Sequence, residues 1–195
     1  DINTAIDTSQ NIIDNVREFL KGCRGYLPYT QGKYSLIIET TGTASITLTE
    51  DDIIGGYNLS IPTKNERYNR VIVGFVDPAR NFQVNEVQFP PIDDSGLPSA
   101  DRHATMKTAD GGFLQEGTID LPTITSPYQA LEFAEIVLNR SRNNLAVDLT
   151  ANYEALDLAI GDIVNVTHAI TGFSAKPFRV NGISLNFADI VENPE

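Results

Sequence analysis

The feature that most constrains the fold is the spacing of the apolar residues, which changes from a helical to a strand period near Gly25. Before that point, the apolar residues fall on one stripe at a spacing of about 3.6 residues. The stripe consists of Ile12, Ile13, Val16, Phe19, Leu20 and Cys23. Asp7 and Gln10 have the spacing of a capping box, and Gly22 and Gly25 offer the positive φ angles that end helices. This pattern predicts an amphipathic helix over about residues 8–22.

Beyond Gly25 the apolar residues alternate, which is typical of short strands with one buried face. The strand candidates are residues 26–29, 33–39, 44–49, 57–61, 70–76, 82–89, 118–121, 145–151, 163–167, 177–180 and 183–187. Residues 77–81 read Asp-Pro-Ala-Arg-Asn, a good reverse turn between two of these strands.

A second helix interrupts the strands. Residues 126–129 read Ser-Pro-Tyr-Gln, which combines a capping box with proline at the first helical position. The helix is predicted over about residues 127–142, with Arg140 and Arg142 near the end of the helix dipole that favours cations. Its predicted buried stripe is Ala130, Phe133, Ala134, Val137 and Leu138.

Residues 90–112 show almost no apolar periodicity and contain three prolines. They are predicted to form a long exposed loop, and loops of this length in compact domains are usually functional or disordered.

Together these elements predict an α+β chain that is mainly β. Residues 1–58 form a small lobe of one helix followed by antiparallel strands. Residues 59–195 form an antiparallel β-barrel that is crossed by one helix. A chain of 195 residues with 41% apolar side chains can bury a sizeable core.

Composition excludes several classes of function. The net charge is −12 and no cluster of Lys or Arg could follow a phosphate backbone, so stable nucleic-acid binding is not expected. Cys23 is the only cysteine, which rules out an intrachain disulfide and a thiolate zinc cage. We therefore expect no metal and no cofactor. The chain begins at Asp1 without an initiating Met, and we expect it to be a piece of a longer polypeptide.

Motifs for nucleotide chemistry and for common hydrolases are absent. Gly25–Lys33 contains two glycines and a lysine, but the glycine spacing is wrong and Tyr34 replaces the hydroxyl residue that holds magnesium in a phosphate loop. No G-x-G-x-x-G, G-x-S-x-G or H-E-x-x-H pattern occurs.

Two carboxylate clusters, Glu50-Asp51-Asp52 and Asp93-Asp94, could in principle bind a cation or cleave a glycoside. Carboxylates that follow one another on a turn seldom face one ligand. We interpret both clusters as solvated turn acids.

A nucleophile and base pair could be built from Cys23 with His103 or His168. Cys23 lies on the apolar stripe of the first helix, so we interpret it as a small buried hydrophobe. His103 falls in the predicted flexible loop, and His168 ends a strand, where it is expected to face solvent or a neighbour. We therefore predict no catalytic residue and no enzyme activity.

Three stretches together resemble a known family. Residues 67–82, 127–141 and 156–166 are similar to a strand-turn-strand unit, a crossing helix and a strand with a Gly-Asp turn in siphophage tail tip attachment proteins, the J-type host-specificity proteins. The helix before Gly22 and the Gly32-Lys33-Tyr34 hairpin extend the resemblance over most of the chain.

This resemblance implies a structural hub at the virion tail tip that is made in the bacterial cytoplasm. It implies three self-associating copies, contacts with other tail tube and tip proteins, release of a plug on receptor contact, and passage of DNA. The receptor-reading region of whole tip proteins is missing here, so receptor contact is expected outside these residues. An acidic wall would repel DNA phosphates, and we hypothesise that the carboxylates face the tube lumen.

Two alternatives stay open. One is a carbohydrate-binding β module of a phage or bacterial surface protein, although the chain has no Trp for a sugar platform. The other is a cell-wall hydrolase with two carboxylates about 5–9 Å apart, one of them with a raised pKa.

Overall fold

The computed structural model describes residues 6, 8–30, 32–40, 42–61, 63, 66–91 and 98–185. Within these residues the chain forms three α-helices and twelve β-strands. The helices are α1 (Ile12–Cys23), α2 (Pro98–Ala109) and α3 (Pro127–Asn143). The strands are β1 (Gly25–Tyr26), β2 (Tyr29–Thr30), β3 (Lys33–Tyr34), β4 (Ile37–Ile38), β5 (Ile46–Leu48), β6 (Ile53–Ser60), β7 (Arg70–Asp77), β8 (Gln83–Phe89), β9 (Glu116–Leu121), β10 (Ala146–Ala151), β11 (Ile163–His168) and β12 (Phe173–Arg179).

The chain folds into two compact units, each made of two separate stretches. Unit 1 takes Asp1–Leu27 and Leu59–Ala146, and unit 2 takes Pro28–Asn58 and Val147–Glu195. The division predicted from the sequence, into residues 1–58 and 59–195, stays a prediction.

Unit 1 is built on a three-stranded sheet with the strand order β8-β7-β9. β8 runs antiparallel and β9 runs parallel to the central strand β7. Alternate residues of β7, namely Val71, Val73 and Phe75, are almost completely buried. Because side chains of a strand point alternately to opposite faces, these three mark the face that packs against α3.

The core of unit 1 joins this sheet face to the apolar stripe of α3. Its members are Val71, Val73, Phe75, Leu121, Ile124, Ala130, Ala134 and Leu138. Phe133 and Val137 pack against the same cluster, which confirms the stripe predicted for the second helix. Fully burying a Leu, Val or Phe side chain contributes about 1.5–3 kcal/mol, so this cluster is the main source of stability in unit 1.

Helix α3 begins and ends almost where the sequence predicted, with Pro127 at its first position. The predicted capping box is wrong, because the side chain of Ser126 makes no capping hydrogen bond. The Gln129 side chain points elsewhere, and its Nε2 donates to the carbonyl oxygen of Gly22 at 3.0 Å. This bond ties the start of α3 to the end of α1.

Helix α1 is shorter at its start than predicted. It begins after Asn11, whose extended backbone marks the N-cap, so Gln10 precedes the helix and cannot take the helical position that the predicted capping box assigns to it. Asp7 itself lies outside the described residues. Ile12 is 84% exposed and does not belong to the buried stripe. At the other end, Arg24 rather than a glycine takes the left-handed conformation, with a φ of 56°.

Helix α2 replaces much of the loop predicted over residues 90–112, and that prediction is wrong. The segment has no continuous apolar stripe, so its periodicity gave no helical signal. Pro98 suits the first helical position, and Arg102 and Met106 belong to the residues with high helix propensity. Residues 92–97 lie outside the described residues.

The turn between β7 and β8 is confirmed. Pro78–Arg80 form one turn of 3-10 helix, and Asp77 Oδ1 accepts a hydrogen bond from the Ala79 amide at 2.9 Å. Asn81 follows with a φ of 55°, which asparagine tolerates better than most residues.

The largest sheet of unit 2 also has three strands. β11 lies between β12, to which it is antiparallel, and β5, to which it is parallel. β2 and β3 form a short antiparallel hairpin, and β6 pairs with β10.

Several strands differ from their predicted bounds. The strand predicted at residues 26–29 is divided, because Pro28 has no amide hydrogen to donate to a ladder. The strand predicted at residues 177–180 is the last part of β12. Residues 183–185 form no strand, and the rest of the predicted strand 183–187 lies outside the described residues.

The class is a mixture of helix and sheet, mainly β, as predicted. The sheets of the described residues have two or three strands each, and none closes into a barrel. In this part of the chain, no helix combines the length and apolar character that crossing a membrane requires.

Candidate assembly surface

The cysteine and histidine of unit 1 lie in different surroundings. Cys23 is half-buried at the end of α1, where its thiol donates to the carbonyl oxygen of Leu20 at 3.5 Å. His103 is 8% exposed within α2, so its predicted place in a flexible loop is wrong. Burial lowers the pKa of His103, helped by the nearby positive charges of Arg70 and Lys107 and opposed by Glu116. No histidine lines the cavity beside Cys23.

His168 ends β11 as predicted, but its ring is half-buried. It stacks on Tyr57 with ring centroids 4.1 Å apart and planes at 3°. The hydroxyl of Thr171 lies 3.2 Å from His168 Nδ1 and 3.4 Å from the Tyr57 hydroxyl. These contacts give His168 a packing role within unit 2.

The first carboxylate cluster only partly fits the interpretation as solvated turn acids. Asp51 is exposed, but Asp52 is buried and accepts hydrogen bonds from the amide and hydroxyl of Thr49, both at 2.8 Å. These bonds lower the pKa of Asp52, which makes it a charged cap for a turn of 3-10 helix. Asp93 and Asp94 lie outside the described residues.

Glu50 also has a structural partner, since its Oε1 accepts a hydrogen bond from the Ala169 amide at 2.7 Å. In the described ranges, no three His, Cys, Asp or Glu side chains gather in a way that could hold a metal ion. The expectation that the protein uses no metal and no cofactor stays a prediction.

A polar cluster fastens the end of α2 to the end of α3. Asp110 and Arg142 form a two-point ion pair with N–O distances of 2.7 and 3.1 Å. The buried Asn69 donates to Asp110 at 3.2 Å and to the Phe113 carbonyl at 2.8 Å. The hydrogen bonds from Arg142 are the main reason that the pKa of Asp110 is lowered.

A second contact fastens the first half of α2. Arg102 donates to Glu135 at 3.1 Å and to Asn139 at 2.8 Å, both of them on α3. Its guanidinium also lies 5.3 Å from the centroid of the Phe89 ring. Helix α2 is thus held to unit 1 by charged side chains near both of its ends.

The two units differ in how well they bury apolar side chains. In the described residues, unit 2 buries Leu48, Val164 and Val166, against the eight residues of the unit 1 core. Unit 2 also exposes many large apolar side chains. They are Tyr29, Tyr34, Leu36, Ile38, Ile54, Tyr153, Leu156, Ile170, Ile183 and Leu185. The described residues of unit 1 expose nine large apolar side chains as well, so exposure by itself does not distinguish the surface of unit 2.

One part of this surface is the hairpin of β2 and β3, which we call the tyrosine hairpin. Tyr29 and Tyr34 pair across its two strands, with ring centroids 4.8 Å apart. They are 64% and 63% exposed. Exposed tyrosines supply a large contact area at low entropic cost, which is why they are enriched in protein interfaces.

Unit 1 carries a small open cavity of about 170 Å³ between α1 and α3, which we call the Cys23 groove. Its lining residues are Gly22, Cys23, Arg24, Gln129, Glu132, Phe133 and Ile136. Arg24 Nη2 and Glu132 Oε1 lie 3.9 Å apart, and the Glu132 side chain is 66% exposed. The cavity is smaller than the 300 Å³ or more that is usual for a site for small ligands.

Two sheet edges differ in their protection. β12 carries Lys176 and Pro177 and pairs irregularly with β11, and these features discourage the addition of a further strand. β8 pairs regularly with β7 along seven residues and contains no proline, lysine or arginine. Its Val84 is 69% exposed, so β8 is the more open edge.

Sequence reasoning did not identify any of these contacts. The spacing of Tyr29 and Tyr34 around Gln31-Gly32 could have indicated a cross-strand pair. Asp110 and Arg142 are 32 residues apart, and no local pattern connects them.

The comparisons with known proteins agree with one another. The model of the phage tail protein family matches residues 12–183. The chain is 24% identical over 182 residues to the baseplate hub protein pb3 of Escherichia phage T5. That alignment covers 93% of this chain but only 18% of the relative, so the chain spans less than a fifth of that protein's length.

A similar fold occurs in a solved structure of the virion of a native gene transfer agent particle. The TM-score is 0.64 at 14% identity, and the match covers 87% of this chain and 35% of the other. This likeness concerns the fold alone.

Proposed function

The chain belongs to the phage tail protein family, and from this premise we propose that it is a structural, non-enzymatic module of the tail tip hub. Its location is accordingly the virion tail. The observation that carries the proposal is the alignment of nearly the whole chain with a baseplate hub protein of another phage. The resemblance of residues 67–82, 127–141 and 156–166 to tail tip attachment proteins supports the same role.

The hub forms by self-association, with three copies in the full-length protein. The exposed apolar side chains of unit 2 support an assembly, because a second molecule would remove them from water. The open edge of β8 supports strand pairing between copies, which would complete the barrel that single chains leave open. In this proposal residues 59–195 act as the hub domain and residues 1–58 as the lobe attached to it.

The assembled hub ends the tail tube, contacts other tail tube and tip proteins, and lets DNA pass. The net charge of −12 supports this last step, since an acidic wall repels phosphates and offers no stable nucleic-acid binding. Contact with the host receptor belongs to regions outside this chain.

The hydrolase alternative finds little support in the carboxylates. A general acid needs a raised pKa, whereas the pKa values of Asp52 and Asp110 are both lowered by hydrogen bonds. Both side chains serve as hydrogen-bond acceptors within the fold.

The carbohydrate-binding alternative gains one observation, the exposed Tyr29 and Tyr34 rings. Their planes are tilted by 51°, so the pair does not offer the flat platform on which a sugar ring stacks. Binding to a glycan array would favour this alternative over the hub.

Immunogold electron microscopy tests the hub assignment. Antibody against this chain, applied to particles induced from the source strain, is expected to place gold at the distal end of the tail. Antibody from which the specific fraction has been removed with purified chain serves as the control. Intact tails without label at the tip, from antibody that recognises the denatured protein, would count against the proposal.

A further inference from the structure

We propose that α2 is a pH-sensitive flap, which detaches from the rest of unit 1 when His103 takes up a proton. His103 is 8% exposed, and within the described residues its Nε2 atom has no hydrogen-bond partner. A neutral imidazole is buried there at modest cost, whereas an imidazolium would bring a charge and a second N–H donor into the same place. The inference concerns one chain by itself and does not depend on the hub assignment.

The surroundings of His103 favour its neutral form. Burial of the ring is the main reason that its pKa is lowered, and the positive charges of Arg70 and Lys107 lower it further. Arg70 begins β7, and Lys107 lies one turn beyond His103 on α2 itself. The acid that opposes them, Glu116 at the start of β9, is already paired with Arg70, whose Nε lies 2.9 Å from Glu116 Oε1. Detachment of α2 takes the ring into water and away from Arg70, so protonation favours the detached state.

The core of unit 1 does not depend on α2, so the helix can leave without unfolding it. All eight core residues lie on β7, on α3, or on β9 and the loop after it. Met106 is the α2 residue that packs against this core, and it is only partly buried. Helix α3 packs closely along β7 and β8, whereas α2 makes no comparably close approach to any single element of the described chain.

The polar contacts near the two ends of α2 persist in mildly acidic solution. Hydrogen bonds from Arg142 lower the pKa of Asp110 from 3.8, so this ion pair stays charged well below the pH range in which a histidine titrates. The bond from Arg102 to Asn139 joins a guanidinium, which is always charged, to a neutral amide. Of these contacts of α2, the packing of His103 is therefore the one that mild acid weakens.

Detachment would change the surface at one end of the open edge strand β8. The guanidinium of Arg102 now lies 5.3 Å from the centroid of the Phe89 ring, which is the last residue of β8. When α2 leaves, this cation leaves with it, and the half-buried Phe89 ring becomes more exposed.

Native-state hydrogen exchange tests the flap. Amides of α2 and β7 are followed by NMR at two pH values, about one unit above and about one unit below the ordinary histidine pKa of 6.5, with rates corrected for the intrinsic effect of pH. The amides of α2 should be less protected than those of β7 and insensitive to low urea, because a local opening exposes little surface. Their protection should fall about three- to tenfold at the lower pH, tenfold being about the limit that one proton sets.

Two variants and a control isolate the contribution of His103. His103→Gln keeps a polar side chain that does not titrate, and it should abolish the effect of pH on the protection of α2. His103→Arg places a permanent charge there and should leave α2 poorly protected at both pH values, while slow exchange in β7 shows that unit 1 is folded. His168→Gln removes the other histidine of the chain and should keep the full effect.

Titration of the two histidine ring signals by NMR gives a second readout. The signal that disappears in His103→Gln belongs to His103, and it should titrate below 6.5. Titration at or above that value would overturn the inference. So would a fall in α2 protection that persists in His103→Gln, the absence of any fall, or α2 amides that match those of β7 in both protection and urea dependence.

Discussion

At the scale of single residues, buried ionisable groups set the response of this protein to acid. The lowered pKa of His103 means that the folded state disfavours its charged form, first because that form would be buried and then because it would stand near Arg70 and Lys107. Asp52 and Asp110 behave in the opposite way, because hydrogen bonds hold both of them charged in the folded state.

His103 and the two aspartates should therefore destabilise the protein in separate pH ranges. As the pH falls below 6.5, the ordinary pKa of histidine, the unfolded chain binds a proton at His103 before the folded chain does, so stability falls. The stability due to Asp52 and Asp110 is present above their ordinary pKa of 3.8 and is lost as the pH falls through their lowered values. Urea unfolding at a series of pH values measures both losses. The variant His103→Gln should flatten the curve just below pH 6.5, and an unchanged slope there would contradict this account.

At the scale of elements, α2 was missed and α3 was predicted almost residue by residue, for one physical reason. Helix α3 buries a continuous apolar stripe, which leaves a period in the sequence. Helix α2 contributes mainly Met106 to the apolar packing and is otherwise fastened by Arg102 and by Asp110 with Arg142. Partners of ion pairs can lie far apart in a sequence, so no local pattern reveals a helix that is held by them.

The ion pair between Asp110 and Arg142 should control how firmly α2 is docked. Asp110 is 7% and Arg142 19% exposed, so Asp110→Asn leaves a partly buried guanidinium without its counter-charge. The expected cost is about 1–3 kcal/mol in the free energy of unfolding, measured in urea. Asp14→Asn removes a partner of the exposed pair with Arg17 and should cost less than about 0.5 kcal/mol. Equal effects of the two variants on the free energy of unfolding would contradict this role of the ion pair in docking α2.

At the scale of the whole molecule, the sequence indicated the mixed, mainly β class and the family resemblance but not the pairing of distant segments. Unit 1 brings α1 together with residues from Leu59 onwards, and such long-range grouping leaves no local pattern. The sequence also gave no indication of which apolar residues form the exposed surface of unit 2. Apolar residues of a short strand read alike whether they enter a core or remain exposed, as Ile38 and Leu48 show.

Because unit 1 buries more apolar side chains than unit 2, the two units should differ in local stability. Backbone amides of β7 in unit 1 should exchange with deuterium at least about tenfold more slowly than those of β11 in unit 2, because few apolar contacts hold unit 2 closed. Leu48→Ala, in unit 2, should speed exchange in β11 and leave β7 unchanged, whereas Leu138→Ala, in unit 1, should speed exchange in β7. Equal protection of the two strands in the isolated chain would show that unit 2 needs no partner.

The interleaving of the two units also has a consequence for synthesis on the ribosome. Residues 28–58 emerge early, but the strands β10 and β11 that pair with β6 and β5 come after residue 145. The first half of unit 2 must therefore wait, with Ile46 and Leu48 accessible, until all of unit 1 has been translated. At about 5–20 residues per second this interval lasts several seconds, long enough for a nascent chain to need a chaperone.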